Sequence, residues 1–216
     1  MQMGREFLEI FEEWAEDYDK TVTGMDPEYI EVFRDYQSIL QAVTDNSFGN
    51  ILEFGVGTGN LTEKLVDNGH RVIGIEPSTA MREITKVKLP EAIVLDGDFL
   101  HYPKPEIPIN TIVSTYAFHH LTDAEKELAV KQFSTLLNTG GKVVFADTMF
   151  ESAQVMQRKI DEAVEVGYTN LAEDLRREYY PLTQTIEKIF VENNFTINFK
   201  QMNEFVWLII ANYIKG

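Results

Sequence analysis

The amino-acid sequence predicts an α/β protein with a doubly wound, mostly parallel seven-stranded sheet that contains one antiparallel strand. Three observations support this fold class. Short apolar runs alternate with helical or loop segments over five steps, as expected for successive βα units. A glycine-rich turn follows the first run, at the edge where such sheets bind ligands. Two further runs, 195–200 and 205–211, fit a closing antiparallel pair.

The predicted elements follow in order along the chain. Two segments with apolar residues at helical spacing, 5–18 and 28–43, precede the sheet as N-terminal cover helices. The core then consists of strands at 50–54, 71–76, 92–95, 111–115 and 142–146, with helices at 61–66, 78–88 and 123–137. Asp123 is predicted to cap the last of these helices, and Gly140-Gly141 to end it. Residues 152–179 and 183–193 also have helical patterns.

Charge and composition exclude several classes of protein. The chain has 19 Lys and Arg against 35 Asp and Glu, and the net charge of −16 repels nucleic-acid phosphates. It contains no cysteine, which excludes disulfides and thiolate metal sites. The longest apolar run, 205–211, is far shorter than the ~20 residues of a membrane span, and no export signal is visible. We therefore expect a cytoplasmic protein without nucleic-acid or membrane partners.

The turn after the first strand is the leading candidate for a ligand site. It runs Glu53-Phe54-Gly55-Val56-Gly57-Thr58-Gly59. Its glycines lack Cβ atoms, so the backbone can turn tightly and approach a nucleotide-like ligand, while the following helix offers free amide groups. Glycines at this position can also serve only to pack the helix against the strand, and the turn alone leaves both interpretations open.

Two carboxylates follow later strands at the same edge of the predicted sheet. Glu76 comes about twenty residues after the glycines, where a carboxylate can accept hydrogen bonds from both hydroxyls of a ribose. Asp98 follows the third strand, where it can accept from an adenine amino group. Without a ligand, Glu76 would be an acid favoured by a helix dipole and Asp98 an ordinary turn residue.

These features indicate a nucleoside cofactor, and the glycine spacing separates two families. Dinucleotide dehydrogenases have a glycine or an alanine where this chain has Asn60. The sequence instead resembles the class I S-adenosylmethionine-dependent methyltransferases, because 53–59 is similar to their first motif and Gly97-Asp98 to their adenine-side loop. A closer resemblance, to the small YrrT-like methyltransferases, rests on the segments 11–19, 116–121 and 144–148.

The resemblance covers nearly the whole chain and implies the Rossmann-like methyltransferase fold with S-adenosyl-L-methionine as cofactor. The implied cofactor-binding residues are Glu53, Gly55, Gly57 and Gly59 in the turn, Glu76 at the ribose, Asp98 at the adenine and Tyr18 near the methionine end. Glu53 would face the methionine ammonium, directly or through water. Many members have Asp before the first glycines and Pro or Cys between them, where this chain has Glu53 and Val56.

The segment after the fourth strand holds the candidates for catalysis, because it lies at the same edge as the glycine turn. Methyl transfer from a sulfonium needs mainly an aligned nucleophile and exclusion of water. Tyr116, His119 and His120 are predicted as catalytic residues, since an imidazole can take a proton from the nucleophile and an aromatic face can stabilise the sulfonium. One histidine is expected to be the base, and the sequence leaves open which. A purely structural role for both also stays open.

No metal site is predicted. The two histidines could ligate an ion together with Asp147, but nothing in the sequence supplies a compact ligand spacing, and a chelator would distinguish the two cases.

The chain is expected to be a single domain over 1–216. Its parts are N-terminal cover helices (1–45), a cofactor-binding core (50–148), a helical cover (150–182) and a closing helix and strand pair (183–216). The aromatic and acidic residues expected in the cover over the reaction site are Trp14, Tyr18, Asp19, Tyr168, Tyr179 and Tyr180.

The sequence thus predicts a methyltransferase that acts on a small cytosolic metabolite. One alternative is a sensor or scaffold that binds S-adenosylmethionine or S-adenosylhomocysteine without turnover, with both histidines structural. A second is an NAD-dependent enzyme. The sequence determines neither the acceptor nor the oligomeric state.

Overall fold

The structure, a computed structural model, describes Phe7, Leu8, Glu12, Ala15 and residues 17–214. Most of the predicted helix 5–18, including Trp14, lies outside the described residues. The strands are β1 (Asn50–Phe54), β2 (Arg71–Ile75), β3 (Ile93–Leu95), β4 (Ile109–Thr115), β5 (Leu137–Thr148), β6 (Phe195–Gln201) and β7 (Val206–Tyr213). The described helices are α1 (Tyr18–Val22), α2 (Tyr36–Asp45), α3 (Asn60–Asp67), α4 (Thr79–Lys88), α5 (Asp123–Leu136), α6 (Ala153–Glu165), α7 (Thr169–Arg177) and α8 (Thr183–Glu192).

The strands form one seven-stranded sheet in the order β3-β2-β1-β4-β5-β7-β6. Strands β1 to β5 run parallel to one another, and β7 is antiparallel to both β5 and β6. This arrangement confirms the predicted fold class. The chain reverses its direction of travel across the sheet between β1 and β4, which is the point where ligands bind in open α/β sheets.

Helices cover both faces of the sheet because successive strand residues point to opposite sides. Ile51 belongs to the apolar cluster with α2, α3, α6 and α7, whereas Leu52 belongs to the cluster with α5 and α8. Both side chains are fully buried. None of the described helices combines the length and the apolar character that crossing a bilayer requires.

Two predicted helices are shorter than expected. Only the second half of 28–43 is helical, since the residues before α2 form turns. The segment 152–179 contains two helices, α6 and α7, separated at Gly167, whose φ of 80° lies in the left-handed region. Glycine adopts this conformation at little cost, and it commonly ends a helix.

The start and end of α5 also differ from the prediction. The capping residue is Thr122 rather than Asp123, because the Thr122 hydroxyl accepts the Glu125 amide while the Glu125 carboxylate accepts the Thr122 amide at 2.8 Å. This reciprocal pair is a capping box. Gly140-Gly141 does not end the helix, because α5 stops at Leu136 and the glycines lie within β5.

Candidate active site

Two adjoining chambers lie at the carboxyl edge of β1 and β4. The first, here called the glycine chamber, has walls that include Gly55, Gly57, Glu76, Met81, Asp98 and Phe99. The second, the acidic chamber, has walls that include Asp26, Tyr29, Glu173, Asp174, Arg177, Glu178 and Tyr180. Four of the described residues border both chambers: Phe7, Tyr18, Tyr116 and His120.

The glycine turn leaves its backbone open to the first chamber. Gly55 and Gly57 have φ values of 70° and 57°, which favour glycine over residues with a side chain. A Cβ atom on Gly55 would lie 2.6 Å from the Cβ of Ala117, so this glycine also permits close packing. A Cβ on Gly57 would meet nothing within 4 Å, because this position faces free space.

Glu76 and Asp98 both line the glycine chamber and are held there by backbone amides. The Glu76 carboxylate accepts the amides of Gly57 at 2.8 Å and Ser78 at 2.9 Å, and thereby joins the turns after β1 and β2. Burial raises its pKa, whereas the two amides and Arg82 favour the ionised form. Asp98 accepts the amides of Leu100 and His101 at 2.8 and 2.9 Å.

Glu53 and Gly59 do not line the glycine chamber. Glu53 is 1% exposed, and its carboxyl group accepts the Thr62 hydroxyl of α3 at 2.7 Å. Burial raises the pKa of Glu53 to about 8, so the carboxyl group is largely protonated at neutral pH. Gly59 precedes α3, and a Cβ there would lie 3.0 Å from the Thr85 methyl group of α4. Its contacts are those of a packing glycine.

Tyr18 and Tyr116 stand at the boundary between the chambers. Tyr18 forms a side-chain hydrogen bond with Tyr36, and burial raises its pKa well above the usual value. The next residue, Asp19, accepts the Thr58 hydroxyl at 2.6 Å and so ties α1 to the glycine turn. Tyr116 has a φ of 52° and is 9% exposed, and its hydroxyl is buried without a hydrogen-bond partner among the described residues. This hydroxyl is therefore available to a ligand.

His119 lies between two carboxylates. Its Nδ1 pairs with Asp147 and its Nε2 lies 3.3 Å from Glu178, while the Tyr180 ring stacks on the imidazole at 4.7 Å. Burial opposes a charge on His119, but Asp147 and Glu178 outweigh it and raise its pKa to about 9. The pKa of Glu178 falls to about 2, because the histidines and Tyr180 outweigh the effect of burial. His119 is therefore protonated at neutral pH and cannot accept a proton there.

His120 has the opposite charge state. Burial and the neighbouring charge on His119 lower its pKa to about 3, so the imidazole is neutral at neutral pH. Nδ1 lies 3.0 Å from the carbonyl oxygen of Ala117, which can only accept a hydrogen bond, so this nitrogen carries the proton. Nε2 is then the unprotonated nitrogen and lies 4.0 Å from the Glu178 carboxylate, and the ring borders both chambers.

Comparison with known proteins identifies the family. Residues 51–141 match the methyltransferase domain family. An uncharacterized methyltransferase of Oceanobacillus iheyensis is 58% identical over 209 residues, covering 97% of this chain and 98% of the relative. The uncharacterized methyltransferase YrrT of Bacillus subtilis is 50% identical over 210 residues, covering 97% and 99%. The chain belongs to this methyltransferase family.

Solved structures of lower sequence identity share the fold of this methyltransferase. Magnesium protoporphyrin IX methyltransferase from Synechocystis with bound S-adenosylhomocysteine has a TM-score of 0.74 at 15% identity, covering 96% of this chain and 98% of that one. A S-adenosylmethionine-dependent methyltransferase from Thermotoga maritima has a TM-score of 0.69 at 21% identity, covering 97% and 100%. The predicted class, a methyltransferase that uses S-adenosylmethionine, agrees with these matches.

The residues of the methyltransferase fit the predicted cofactor in several respects. Gly57 leaves free space where a side chain would lie, Glu76 and Asp98 present carboxylates along one wall, and Tyr116 presents an unpartnered hydroxyl. Such acceptors match the hydroxyl and amino groups of a nucleoside. Carboxylates and aromatic rings also suit a sulfonium charge.

The sequence pattern did not indicate several residues that line the acidic chamber. Asp26, Glu173, Asp174 and Glu178 lie in segments whose acidic residues resemble those of any solvated helix or turn. The only local signal is that Glu178 directly precedes Tyr179 and Tyr180, which were expected in the cover. Phe7 is likewise a wall of both chambers, with its ring 5.4 Å from that of His120.

The structure also brings together a set of groups compact enough to share an ion. Ligand atoms of His119, His120 and Glu178 lie within 4.8 Å of one another. The sequence offered no such spacing, because Glu178 is distant along the chain. His119 is nevertheless already paired on both nitrogens, with Asp147 and Glu178, and in its protonated form it has no lone pair for a metal.

Proposed function

We propose that this methyltransferase transfers a methyl group from S-adenosylmethionine in the glycine chamber to a small-molecule acceptor in the acidic chamber. The proposal is based mainly on the side chains that border both chambers. Because Phe7, Tyr18, Tyr116 and His120 border both chambers, ligands in the two chambers would meet beside these side chains. The net charge of −16 and the acidic side chains that line the second chamber favour a small molecule over a nucleic acid.

Binding of the donor would use the walls of the glycine chamber. When bound, S-adenosylmethionine supplies an electrophilic methyl group on a sulfonium. Gly57 would allow close approach of the donor to the backbone, and Glu76 and Asp98 would accept hydrogen bonds from the nucleoside. The chamber has a volume of ≈ 90 Å³, and Phe7 and Leu8 are among its walls. Ligand sites are usually about 300 Å³ or larger, so the donor would fit only if the side chains of Phe7 and Leu8 moved away from this chamber.

Proton removal from the acceptor would fall to His120. The nucleophilic atom forms a bond to the methyl carbon, the carbon–sulfur bond breaks, and the sulfur keeps the electron pair. The proton of the nucleophile would pass to Nε2 of His120, the nitrogen that is unprotonated because Nδ1 contacts Ala117. The pKa of about 3 makes this imidazole a weak base, and Glu178, 4.0 Å from Nε2, would favour the imidazolium that forms. His119 would instead pair with Asp147 and with Glu178 and so hold the segment after β4 in place.

We expect His120→Gln to lower kcat by about 100-fold or more, because Gln cannot take a proton, while leaving the affinity for S-adenosylhomocysteine nearly unchanged. The assay follows labelled methyl transfer from S-adenosylmethionine into an ultrafiltered small-molecule extract of bacterial cytosol. His70→Gln is the matched control, because His70 lies in the turn between α3 and β2, outside both chambers.

Equal rates for His120→Gln and the wild type would remove His120 as the base. Absence of any labelled small-molecule product with the wild type would favour the sensor or scaffold alternative over an enzyme.

We expect prolonged dialysis against EDTA to leave the rate of methyl transfer unchanged. The pairing of His119 with Asp147 and Glu178 opposes metal binding at the only compact His and carboxylate group found among the described residues. The measurement compares dialysed protein with and without added Zn²⁺ or Mg²⁺. A loss of activity on dialysis that one of these ions restores would contradict the expectation and assign a metal to this group.

A further inference from the structure

The acidic chamber carries more negative than positive charge. Five carboxylates line it or stand behind its wall: Asp26, Asp147, Glu173, Asp174 and Glu178. Two cations among the described residues face them. Arg177 is paired with Asp174 at 2.7 Å, approaches Glu178 at 3.9 Å and lies over the Phe7 ring, and His119 lies between Asp147 and Glu178. Each cation is thus shared by two carboxylates, and the excess charge of these groups remains negative.

The outer carboxylates have no cationic partner within the described part of the chain. Asp26 accepts the backbone amide of Glu28 at 3.0 Å and forms no ion pair there. Glu173 is exposed and forms no hydrogen bond or ion pair with a described residue. A ligand cation at this end would therefore gain attraction without displacing an existing salt bridge.

Aromatic groups and an unpartnered hydroxyl provide a second, independent sign of a ligand. Tyr29, Phe33, Tyr116 and Tyr180 contribute rings to the walls of the chamber, and aromatic faces attract cations. The Tyr116 hydroxyl is buried without a partner at the boundary with the glycine chamber. A buried polar group of this kind is normally satisfied, so a polar atom of a ligand is its expected partner.

We propose that the methyl acceptor is a small molecule with a positively charged amino or guanidino group, bound by Glu173 and Asp26 at the outer end of the acidic chamber. Its nucleophilic atom lies beside Tyr116 and His120. This inference rests on the proposed function and specifies its substrate class.

The methylated atom is a different atom from the bound cation. Carboxylates stabilise the protonated form of an amine, and a protonated amine has no lone pair with which to attack a methyl group. The cation therefore anchors the acceptor at one end, and a neutral nitrogen, oxygen or sulfur at the other end receives the methyl group. The acceptor class is a bifunctional cationic metabolite.

The test uses two sets of probes that share a reactive group and differ mainly in the charge of the tail. Cysteamine, N-acetylcysteamine and 3-mercaptopropionate present one thiol with a positive, neutral or negative tail. Tyramine, N-acetyltyramine and 3-(4-hydroxyphenyl)propionate do the same for a phenol. Full-length protein with labelled S-adenosylmethionine should show kcat/KM about tenfold higher for the cationic member than for its acetylated form.

Substitutions at Glu173 and Asp26 test whether these two carboxylates bind the cationic group of the probe. Glu173→Gln should raise KM for the cationic probe severalfold without changing kcat, and Glu173→Gln combined with Asp26→Asn should raise it further. Both residues are at least partly exposed, so the variants are expected to fold. Glu165→Gln is the matched control, since Glu165 is an exposed residue at the end of α6 and borders neither chamber.

The outcomes separate this inference from the proposed function. Equal use of cationic, neutral and anionic members, or no change in KM for Glu173→Gln, overturns the inference while methyl transfer stands. If no probe is methylated, thermal shifts of the protein loaded with S-adenosylhomocysteine decide it: selective stabilisation by cationic probes supports the inference, and its absence overturns it. Failure to bind S-adenosylmethionine overturns the proposed function itself.

Discussion

Gly57→Arg should abolish binding of S-adenosylmethionine, with a loss of affinity of about 1000-fold or more. A Cβ at position 57 faces free space inside the glycine chamber, so the long side chain would occupy the volume that the donor needs. It would also place a positive charge in the chamber that we propose for the sulfonium and the nucleoside. Isothermal titration calorimetry should show saturable binding for the wild type and none for the variant.

Gly69→Arg provides the matched control for this experiment. Gly69 also has a positive φ, of 83°, and a Cβ there would also meet nothing within 4 Å, but it lies in the turn before β2 and borders neither chamber. Both variants therefore carry the same kind of backbone strain. If Gly57→Arg binds the donor as well as Gly69→Arg does, the glycine chamber is not the donor site.

Glu53→Gln should change how the stability of the ligand-free protein depends on pH. Glu53 has a pKa of about 8 in the folded protein against 4.5 in the absence of burial, so the folded state holds one more proton between these values. The contribution of Glu53 is fully present at low pH and is lost as the pH rises through that window. From about pH 5 to about pH 8 the free energy of unfolding of the wild type should fall by about 4 kcal/mol relative to that of the variant.

Urea unfolding of both proteins at several pH values measures this difference. Gln has no proton to lose and can still accept the Thr62 hydroxyl, so its curve should lack the slope that Glu53 contributes. Glu83→Gln is the control, because Glu83 is an exposed residue of α4 and borders neither chamber. Parallel pH profiles for the wild type and Glu53→Gln would show that Glu53 ionises normally in the folded state.

The fold was predictable because its signals are local. Each strand is a short apolar run, and each helix has its own periodicity and its own end signals. The errors lie where local signals are ambiguous. Phe33, for example, has the apolar character of a helix residue, but it packs in a turn segment against the ring of Tyr116 at 4.9 Å. The local sequence pattern does not indicate such a contact between distant segments.

The glycine chamber was predictable in part. The order of strands and turns placed Gly57, Glu76 and Asp98 at one edge of the sheet, and the structure has all three in the walls of the glycine chamber. The implied roles of Glu53 and Gly59 at the cofactor stay predictions, because neither residue lines this chamber in the structure. Glu53 shares its side of β1 with Ile51, since side chains alternate along a strand, and that side faces α3.

The sequence by itself determined the fold class, the methyltransferase family and the edge of the sheet where we propose that the chemistry takes place. Only the tertiary structure gives His119 and His120 opposite charge states, on which our proposal of His120 as the base rests. The charge states of the two histidines differ because folding places the carboxylates of Asp147 and Glu178 beside His119 in the interior. The tertiary structure likewise assembled the acidic chamber from segments far apart in the chain. Charge state depends on distances between groups and on exclusion of water, and neither quantity can be read from the separation of residues along a sequence.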